Sequence, residues 1–401
     1  MFSFKIEKKI DGALGRAGVI STPHGDIQTP AFIVVGTKAT VKALTPEQIS
    51  ELGAQAVLAN TYHLYLQPGD EIVAKAGGFP AFMNWQGPTF TDSGGFQAFS
   101  LGAALGHGIS KLSKGDEAVE TRGESEHVEH LRAKIDDEGV TFKSVIDGST
   151  HHFTPERSMQ IQHNLAADII FAFDECTSPT ASYDYQKVAM NRTHAWAERS
   201  LAEHKRLGGE QALFGIVQGG RYRDLREESA RAIGAMDFPG FGIGGSFDEQ
   251  DLGTAVAWVN TILPEGRPRH LLGIGEPEDF FTGIENGVDT FDCVAPSRMA
   301  RNGSLQTKRG RINVLNSGYR EDFSPIEEGC RCYTCRNYSK AYLAHLFRAK
   351  EMLAGTLATI HNLYFSVNLV KEIRQSIVDG RFAEFKEEFL AHFNSKAEAQ
   401  A

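Results

Sequence analysis

Three carboxylates lie at the ends of short apolar runs, where we expect a buried strand to end and a loop to begin. Asp92 lies in the segment TFTDSGG, Asp174 in FAFDECT and Asp292 in TFDCV. No serine or histidine motif for nucleophilic catalysis ends any such run. A carboxylate can act as a general acid, a general base or a nucleophile. The sequence therefore predicts that these carboxylates carry the chemistry.

A cluster of cysteines predicts a metal site. The chain has five cysteines, and three of them, Cys330, Cys332 and Cys335, lie within the six residues CRCYTC. Such a cluster is typical of metal ligation, and a structural zinc ion needs a fourth ligand to complete its tetrahedron. His345 and His361 follow in the apolar-periodic, helical-looking segment 338–378, and the spacing alone does not choose between them.

The elements that position these residues alternate between strand and helix. Eight apolar runs, each followed by a helical-looking stretch, occupy 31–36, 56–60, 89–94, 169–175, 213–220, 240–246, 270–276 and 290–295. Eight such alternations predict a (β/α)8 barrel, whose active site lies at the carboxyl ends of its strands. A doubly wound open sheet is the alternative, although no G-x-G-x-x-G follows the first run. Helix starts are predicted at Thr45-Pro46 and Thr154-Pro155.

Two segments interrupt the alternation. The stretch 101–155 is long and polar, with a strand predicted at 139–144, and its acidic part, 101–138, has no assigned role. Segment 298–361 holds the cysteines, and we interpret it as a zinc-binding subdomain inserted in a single barrel domain that spans 1–401. A stripe of phenylalanines in the tail favours a core or dimer contact; it comprises Phe382, Phe385, Phe389 and Phe393.

Net charge disfavours nucleic acid at first sight, because 51 acidic residues outnumber 41 basic ones to give −10. The distribution is uneven, however. Segment 297–350 has eleven Lys and Arg against four Asp and Glu, a net +7, whereas 102–141 has nine acidic residues against five basic ones. The positive charge of segment 297–350 thus suits it to binding an anion. With no apolar stretch of about 18 residues and a charged N-terminus, the sequence predicts a cytoplasmic protein without membrane contact.

Taken together, six motifs resemble the bacterial type of tRNA-guanine transglycosylase. They are FTDSGGFQ, FAFDECT, GIVQGG, TFDCV, SRMARNG and the CxC–x2–C cluster, and the resemblance runs from about residue 22 to 393. It implies a (β/α)8 fold and exchange of guanine 34, at the wobble position of GUN-anticodon tRNAs, for a 7-deazaguanine in queuosine biosynthesis. Double displacement through a covalent enzyme–tRNA intermediate is implied as well.

The resemblance also assigns residues. It makes Asp292 the nucleophile, Asp92 the general acid/base and His361 the fourth ligand of one structural zinc per subunit, in a homodimer. Base binding is assigned to Asp92, Ser93, Gly94, Gly95, Phe96, Asp174, Gln218 and Gly245. RNA binding is assigned to Gly273, Ile274, Gly275, Glu276, Ser297, Arg298, Met299, Ala300 and Arg301. The charge of the basic segment, rather than the resemblance, predicts further phosphate contacts at Lys308, Arg309 and Arg311.

The chain departs from the family pattern after Gly244 and Gly245, where it continues SFDEQ instead of a small apolar residue and a Gly-Glu pair. This departure bears on the substituent of the incoming base. Cys176, after Asp174 and Glu175, resembles the bacterial, preQ1-using pattern of the family, which implies preQ1 as the incoming base; queuine stays open as the alternative. Two other classes remain. One is a non-catalytic partner subunit that binds tRNA, which the presence of both Asp92 and Asp292 disfavours. The other is a zinc-stabilised barrel hydrolase of a small nucleoside or glycoside, which the basic segment disfavours.

Overall fold

In the computed structural model, residues 1–98, 112–113, 133–245, 247–248 and 251–394 are described. Eight parallel strands of these residues close into a barrel. They are Ala31–Val35, Val57–Ala59, Thr89–Thr91, Ile169–Phe171, Ala212–Val217, Gly240–Ile243, Arg269–Leu271 and Thr290–Cys293. Each falls in its predicted run to within one residue. The (β/α)8 prediction is confirmed, and the open-sheet alternative is wrong.

Apolar side chains fill the barrel, as expected for parallel strands that are covered on both faces. Ile33, Phe90 and Phe171 are fully buried in one cluster with Ile20 and Ile27 from an N-terminal antiparallel sheet. The strands of that sheet are Ser3–Lys9, Arg16–Thr22 and Gly25–Thr29. The sheet therefore adds apolar side chains to the interior cluster of the barrel.

Helices cover the outside of the barrel. Those before the cysteine cluster are Pro46–Glu51, Thr61–Leu66, Asp70–Lys75, Phe79–Met83, Pro155–Leu165, Tyr183–Leu207, Arg223–Gly234, Leu252–Asn260, Pro277–Glu285 and Ala295–Arg301. Thr45 and Thr154 cap the helices that start beside them, because each side chain accepts a hydrogen bond from the third backbone N–H of its helix. The two helix starts predicted from Thr-Pro pairs are confirmed.

The polar stretch after the third barrel strand contributes a small antiparallel sheet of Lys134–Ile135, Val140–Lys143 and Thr150–Phe153. The strand predicted at 139–144 is confirmed. Leu112–Ser113 pairs with Phe247–Asp248, which follows the sixth barrel strand. The remainder of the acidic stretch, 101–111 and 114–132, lies outside the described residues.

The chain after the last barrel strand forms a separate small cluster before it returns to the barrel. A hairpin of Ser304–Thr307 and Gly310–Asn313 leads to a 3-10 helix, Ser317–Glu321, and to helices Tyr333–Asn337 and Lys340–Arg348. The long helix Met352–Val378 then packs on barrel strand Ala31–Val35, and Phe382–Asn394 follows. The observed elements agree with an insertion late in the barrel, whereas its boundaries, 298–361, stay a prediction.

The phenylalanine stripe of the last helix packs on the barrel helix Pro277–Glu285. Phe281 contacts Phe382, Phe385 and Phe389, with ring centroids 5.3–6.3 Å apart. The prediction of a core contact is thereby confirmed. Among the described residues, no helix is both long enough and apolar enough to cross a membrane.

Candidate active site

A cavity with about 510 Å³ of free space opens at the carboxyl ends of the barrel strands. The predicted residues that line it are Asp92, Ser93, Phe96, Asp174, Gln218, Gly245 and Asp292. Gly94 and Gly95 lie just beneath, and the Gly95 N–H donates to the Ser93 hydroxyl at 3.2 Å. Seven residues chosen from five separate strand ends therefore line one cavity at the mouth of the barrel, where the active site of such a fold lies.

Asp92 is held by three donors. Asn60 Nδ2 and Gln97 Nε2 donate to its Oδ2 at 2.6 and 2.7 Å, and the Thr61 N–H donates to Oδ1 at 2.8 Å. Burial nevertheless raises the pKa of Asp92 above its usual value, and the negative charge of Asp292 raises it further. A carboxyl group with a raised pKa keeps its proton at higher pH, as a general acid must. Asn60 ends the second predicted run, so the rule that selected Asp92 could have found it.

Asp174 is a carboxylate acceptor fixed by two donors at the end of the neighbouring barrel strand. It is 6 % exposed, and Ser93 Oγ and Gln218 Nε2 donate to its two oxygens at 2.7 Å each. An ionised carboxylate fixed this way suits a ligand edge that carries N–H donors. The three residues come from three different strands, so the closed barrel brings them together.

Asp292 receives two donors on one oxygen. His270 Nε2 lies 3.1 Å from Asp292 Oδ1, and the Gly273 N–H donates to the same atom at 2.9 Å. His270 is fully buried, whereas the Asp292 side chain is 14 % exposed. Sequence reasoning missed His270. The signal that could have revealed it is a histidine in an otherwise apolar run, 270–276.

Arg226 connects the loops that follow the fifth and sixth barrel strands, here called the two glycine loops. Sequence reasoning missed this residue as well. It is fully buried; its Nε donates to the Gly220 carbonyl at 2.6 Å and its Nη1 to the Gly244 carbonyl at 2.7 Å. Burial lowers the pKa of Arg226 to about 10. Gly245 has φ +110°, and a Cβ there would lie 2.3 Å from Arg226 Nη2. Glycine is thus required beside this guanidinium.

The cysteine cluster closes around His361. Candidate ligand atoms of Cys330, Cys332, Cys335 and His361 all lie within 4.8 Å of one another. His361 Nδ1 is 3.9, 3.5 and 3.4 Å from the three sulfurs in that order. The choice that spacing left open is settled by geometry, because His345 is not part of this cluster.

The dimensions of the cluster fit zinc. A tetrahedral zinc ion with ordinary Zn–S and Zn–N bonds holds those atoms about 3.6 Å apart, close to the observed separations. His361 Nε2 lies 2.7 Å from the Gln306 carbonyl, to which it donates, so Nδ1 is the ring nitrogen that faces the sulfurs. The Cys335 N–H donates to Cys332 Sγ at the start of helix Tyr333–Asn337. Local backbone structure therefore orients the cysteines.

The residues assigned to RNA differ in their exposure. Arg298 is exposed, and Met299 and Arg301 are half-buried, on the helix that follows Asp292. The half-buried Gly273 donates its N–H to Asp292, and Glu276 pairs with Arg311. The rest are buried and can support this surface only from beneath: Ile274, Gly275, Ser297 and Ala300. Lys308 pairs with Glu372 at 3.4 Å, so part of the predicted positive charge is compensated within the chain.

The fold and the candidate site define a class of protein: a (β/α)8 barrel with three carboxylates on one cavity at the carboxyl ends of its strands and a Cys3His cluster near its C-terminus. Comparison with known proteins narrows the class. The family model described as queuine tRNA-ribosyltransferase matches residues 11–395. This match extends over nearly the whole chain, including the barrel, the cavity and the cysteine cluster.

Full-length relatives agree with that match. A queuine tRNA-ribosyltransferase of Caldanaerobacter subterraneus is 49 % identical over 398 residues, which cover 98 % of each chain. One of a Thermoanaerobacter species is 48 % identical over 404 residues, again with 98 % of each chain covered. A putative queuine tRNA-ribosyltransferase of Archaeoglobus fulgidus is 48 % identical, covering 96 % of this chain and 98 % of its own. The chain belongs to the queuine tRNA-ribosyltransferase family and is a tRNA-guanine transglycosylase enzyme.

Proposed function

We propose that this enzyme exchanges guanine 34 of GUN-anticodon tRNAs for preQ1, a 7-deazaguanine, by double displacement at C1′ of the ribose. The single observation that carries the mechanism is the placement of Asp92 and Asp292 on one cavity, each in a different environment. Asp92 has a raised pKa, whereas two donors favour the charged form of Asp292. Two carboxyl groups in unlike environments can divide the roles of acid and nucleophile.

In the first displacement, a carboxylate oxygen of Asp292 attacks C1′. The C1′–O bond forms as the C1′–N9 bond breaks, and the electron pair of the broken bond goes to N9 of guanine. Asp92 gives its proton to the leaving base, so neutral guanine departs and Asp92 becomes a carboxylate. The tRNA is then held as an ester of Asp292, and inversion at C1′ has occurred once.

The second displacement reverses these changes with another base. The incoming 7-deazaguanine gives its N9 proton to Asp92 and attacks C1′ with the electron pair of N9. The ester bond to Asp292 breaks, and its electron pair returns to the carboxylate. A second inversion restores the original stereochemistry. One glycosidic bond replaces another, so no ATP or nicotinamide is required.

Recognition of guanine rests on Asp174, Gln218 and Gly245. Guanine presents N1–H and an exocyclic amine, which match the fixed carboxylate of Asp174, and an O6 acceptor, which matches the Gln218 amide and the Gly245 N–H. Adenine would leave these buried groups unpaired and would be rejected strongly. Phe96 lines the cavity, where its ring can stack on the flipped base.

The identity of the incoming base rests on Cys176, which lines the cavity and is 4 % exposed. Cys176 follows Asp174 and Glu175 as in the bacterial, preQ1-using pattern of the family, and this resemblance supports preQ1. Part of the loop that departs from the family pattern, Ser246 and 249–250, lies outside the described residues. Substrate choice is therefore best tested by offering preQ1 and queuine separately and weighing the modified tRNA.

The remaining partners follow from the surface. Arg298 is exposed and Arg301 is half-buried on the helix that follows Asp292. Their positive charges suit binding to the phosphate backbone of an anticodon loop. A surface row of tyrosines supports a homodimer: the half-buried Tyr338 stacks on the exposed Tyr342, with ring centroids 5.4 Å apart. We assign one structural zinc per subunit to the Cys3His cluster, and its reduced thiols fit the cytoplasm as its compartment.

The direct test is incorporation of radiolabelled guanine into a GUN-anticodon tRNA by the purified, zinc-loaded enzyme. We expect incorporation at position 34 that preQ1 competes away and adenine does not. Absence of incorporation by the wild-type protein would refute the proposed reaction. Competition by queuine but not by preQ1 would refute the proposed incoming base and leave the reaction standing.

A further inference from the structure

We propose that His163 and His204 form a second metal site, separate from the Cys3His cluster, that takes a divalent transition-metal ion such as Ni²⁺. His163 Nε2 lies 2.9 Å from His204 Nδ1, and the two ring centroids are 5.1 Å apart. Neutral imidazole is the commonest protein ligand of such ions. Both residues are half-buried, so an ion can reach them from solvent.

The histidine pair lies at the end of the barrel opposite the cavity. His163 is in the last turn of helix Pro155–Leu165, and His204 is in the last turn of helix Tyr183–Leu207. Each helix leads into the amino-terminal end of a barrel strand, whereas the cavity opens at the carboxyl ends of the strands. The carboxyl end of a helix carries a partial negative charge, so two such ends favour a cation between them.

The surroundings of His204 orient its ring as a ligand. The backbone carbonyl of Gln211 accepts a hydrogen bond from this ring, and Nδ1 is the nitrogen that faces His163. A ring proton on Nε2 leaves the lone pair on Nδ1, as at metal sites where a backbone carbonyl fixes the tautomer of a histidine. Gln211 is itself held in place, because its side-chain amide donates to the Gln162 and Ala167 carbonyls at 3.2 and 2.7 Å.

The positive side chains beside the pair are neutralised within the chain. Arg206 pairs with the buried Glu203 at 2.7 Å, and Lys205 pairs with Asp237 at 3.8 Å. These ion pairs offset the repulsion that Lys205 and Arg206 would otherwise exert on a bound cation. The site is thus electrostatically open to a divalent ion.

The distance between the two nitrogens selects the kind of ion. Two metal–nitrogen bonds of ordinary length place their nitrogens about 2.9 Å apart at a right angle and about 3.3 Å apart at a tetrahedral angle. The observed 2.9 Å corresponds to the right angle, which tetragonal and square-planar ions such as Ni²⁺ adopt and tetrahedral zinc does not. The pair supplies two ligands, and water supplies the others. A hydrogen bond between the rings has the same length, so the experiment must distinguish an ion from a shared proton.

The test is binding of Ni²⁺ to the zinc-loaded enzyme without a histidine tag, measured by titration calorimetry, with metal analysis to confirm that the zinc is retained. We expect one Ni²⁺ per chain and, in X-ray absorption, a coordination shell of nitrogen and oxygen without sulfur. The melting temperature should rise with the Ni²⁺ concentration, because the ion binds the folded pair. His163→Gln and His204→Gln should each weaken binding at least about 10-fold, since loss of an outer-shell partner alone commonly does so.

His194→Gln is the matched control. His194 lies on the same helix as His204 and is also half-buried, but it contacts the Ser229 hydroxyl at 3.0 Å instead of a second imidazole. This variant should bind Ni²⁺ as the wild type does. No Ni²⁺ bound beside the zinc, a shell that contains sulfur, or equal affinity in the wild type and both pair variants would overturn the proposal and reduce the pair to a hydrogen bond between two helices. None of these measurements uses enzymatic activity, so failure of the proposed exchange reaction would leave them unaffected.

Discussion

The carboxyl groups of Asp92 and Asp292 line the same cavity, and the negative charge of Asp292 adds to the burial that raises the pKa of Asp92. The two side chains come from the third and the eighth strands of the barrel. Their hydrogen bonds also differ: Asp92 accepts from two side-chain amides and a backbone N–H, and Asp292 accepts from an imidazole and a backbone N–H. The catalytic roles that we propose for Asp92 and Asp292 rest on this difference.

The raised pKa of Asp92 predicts a pH dependence for the release of guanine. Asp92 must be protonated to act as the acid, so the rate should fall as pH rises through its pKa. Asp92→Asn should lower the rate by about 10²- to 10⁴-fold and abolish this dependence. Single-turnover release of labelled guanine from tRNA measures both. The same basic limb in Asp92→Asn would mean that another group supplies the proton.

Replacing Asp174 should impair base binding more than it impairs the chemical step. Asp174→Asn loses the negative charge that Ser93 and Gln218 hold in place, so we expect KM for guanine to rise by roughly 10- to 100-fold, as for loss of a charged hydrogen bond. Steady-state exchange at varied guanine concentration measures the change. Glu175→Gln is the control, because Glu175 bonds to Tyr185 and Arg192 and does not line the cavity; an equal rise in KM there would remove Asp174 from base recognition.

Shortening Arg226 should loosen both glycine loops. Arg226→Lys cannot span the Gly220 and Gly244 carbonyls, and it leaves an ammonium group in a fully buried site. We expect the free energy of unfolding to fall by about 2 kcal/mol or more and KM for guanine to rise. Urea denaturation and exchange kinetics measure these effects. Arg231→Lys, on the exposed face of the same helix, should change stability by less than about 0.5 kcal/mol; equal losses in both variants would contradict the assignment.

Removal of the metal should unfold the late segment before it affects the chemistry. Metal analysis should find one zinc per chain, and chelation should lower the melting temperature, because metal binding contributes to folding stability. Cys335→Ser should lose the zinc. Cys176→Ser should retain it, since that thiol lies in the cavity and outside the cluster. Full zinc content in Cys335→Ser would show that the ion is bound elsewhere.

The fold was predictable because each barrel strand is covered on both faces and therefore appears as a continuous apolar run. The site was predictable where a polar residue directly ends such a run, as at Asp92, Asp174 and Asp292. The cysteine cluster was predictable because its ligands are adjacent in sequence. His361 lies 26 residues after Cys335, inside a long helix, and only the resemblance to the family selected it before the structure was known.

His270 and Arg226 escaped prediction for different physical reasons. His270 lies within a strand, and its contacts with Thr290 and Asp292 depend on the register of two strands, which a single sequence does not reveal. Arg226 lies on an outer helix where an arginine ordinarily faces water, yet its guanidinium is fully buried against two loop carbonyls. Both depend on the three-dimensional pairing of elements that are separate in sequence.

The central claim is that Asp292 forms a covalent bond to the ribose of position 34. The most direct measurement is mass spectrometry of the enzyme–tRNA adduct, trapped in denaturant and digested with protease and nuclease. We predict that the ribose is attached to the peptide containing Asp292 in the wild-type enzyme, and that Asp292→Asn yields no adduct although it still binds tRNA. An adduct on another residue, or an undiminished adduct in Asp292→Asn, would contradict the account.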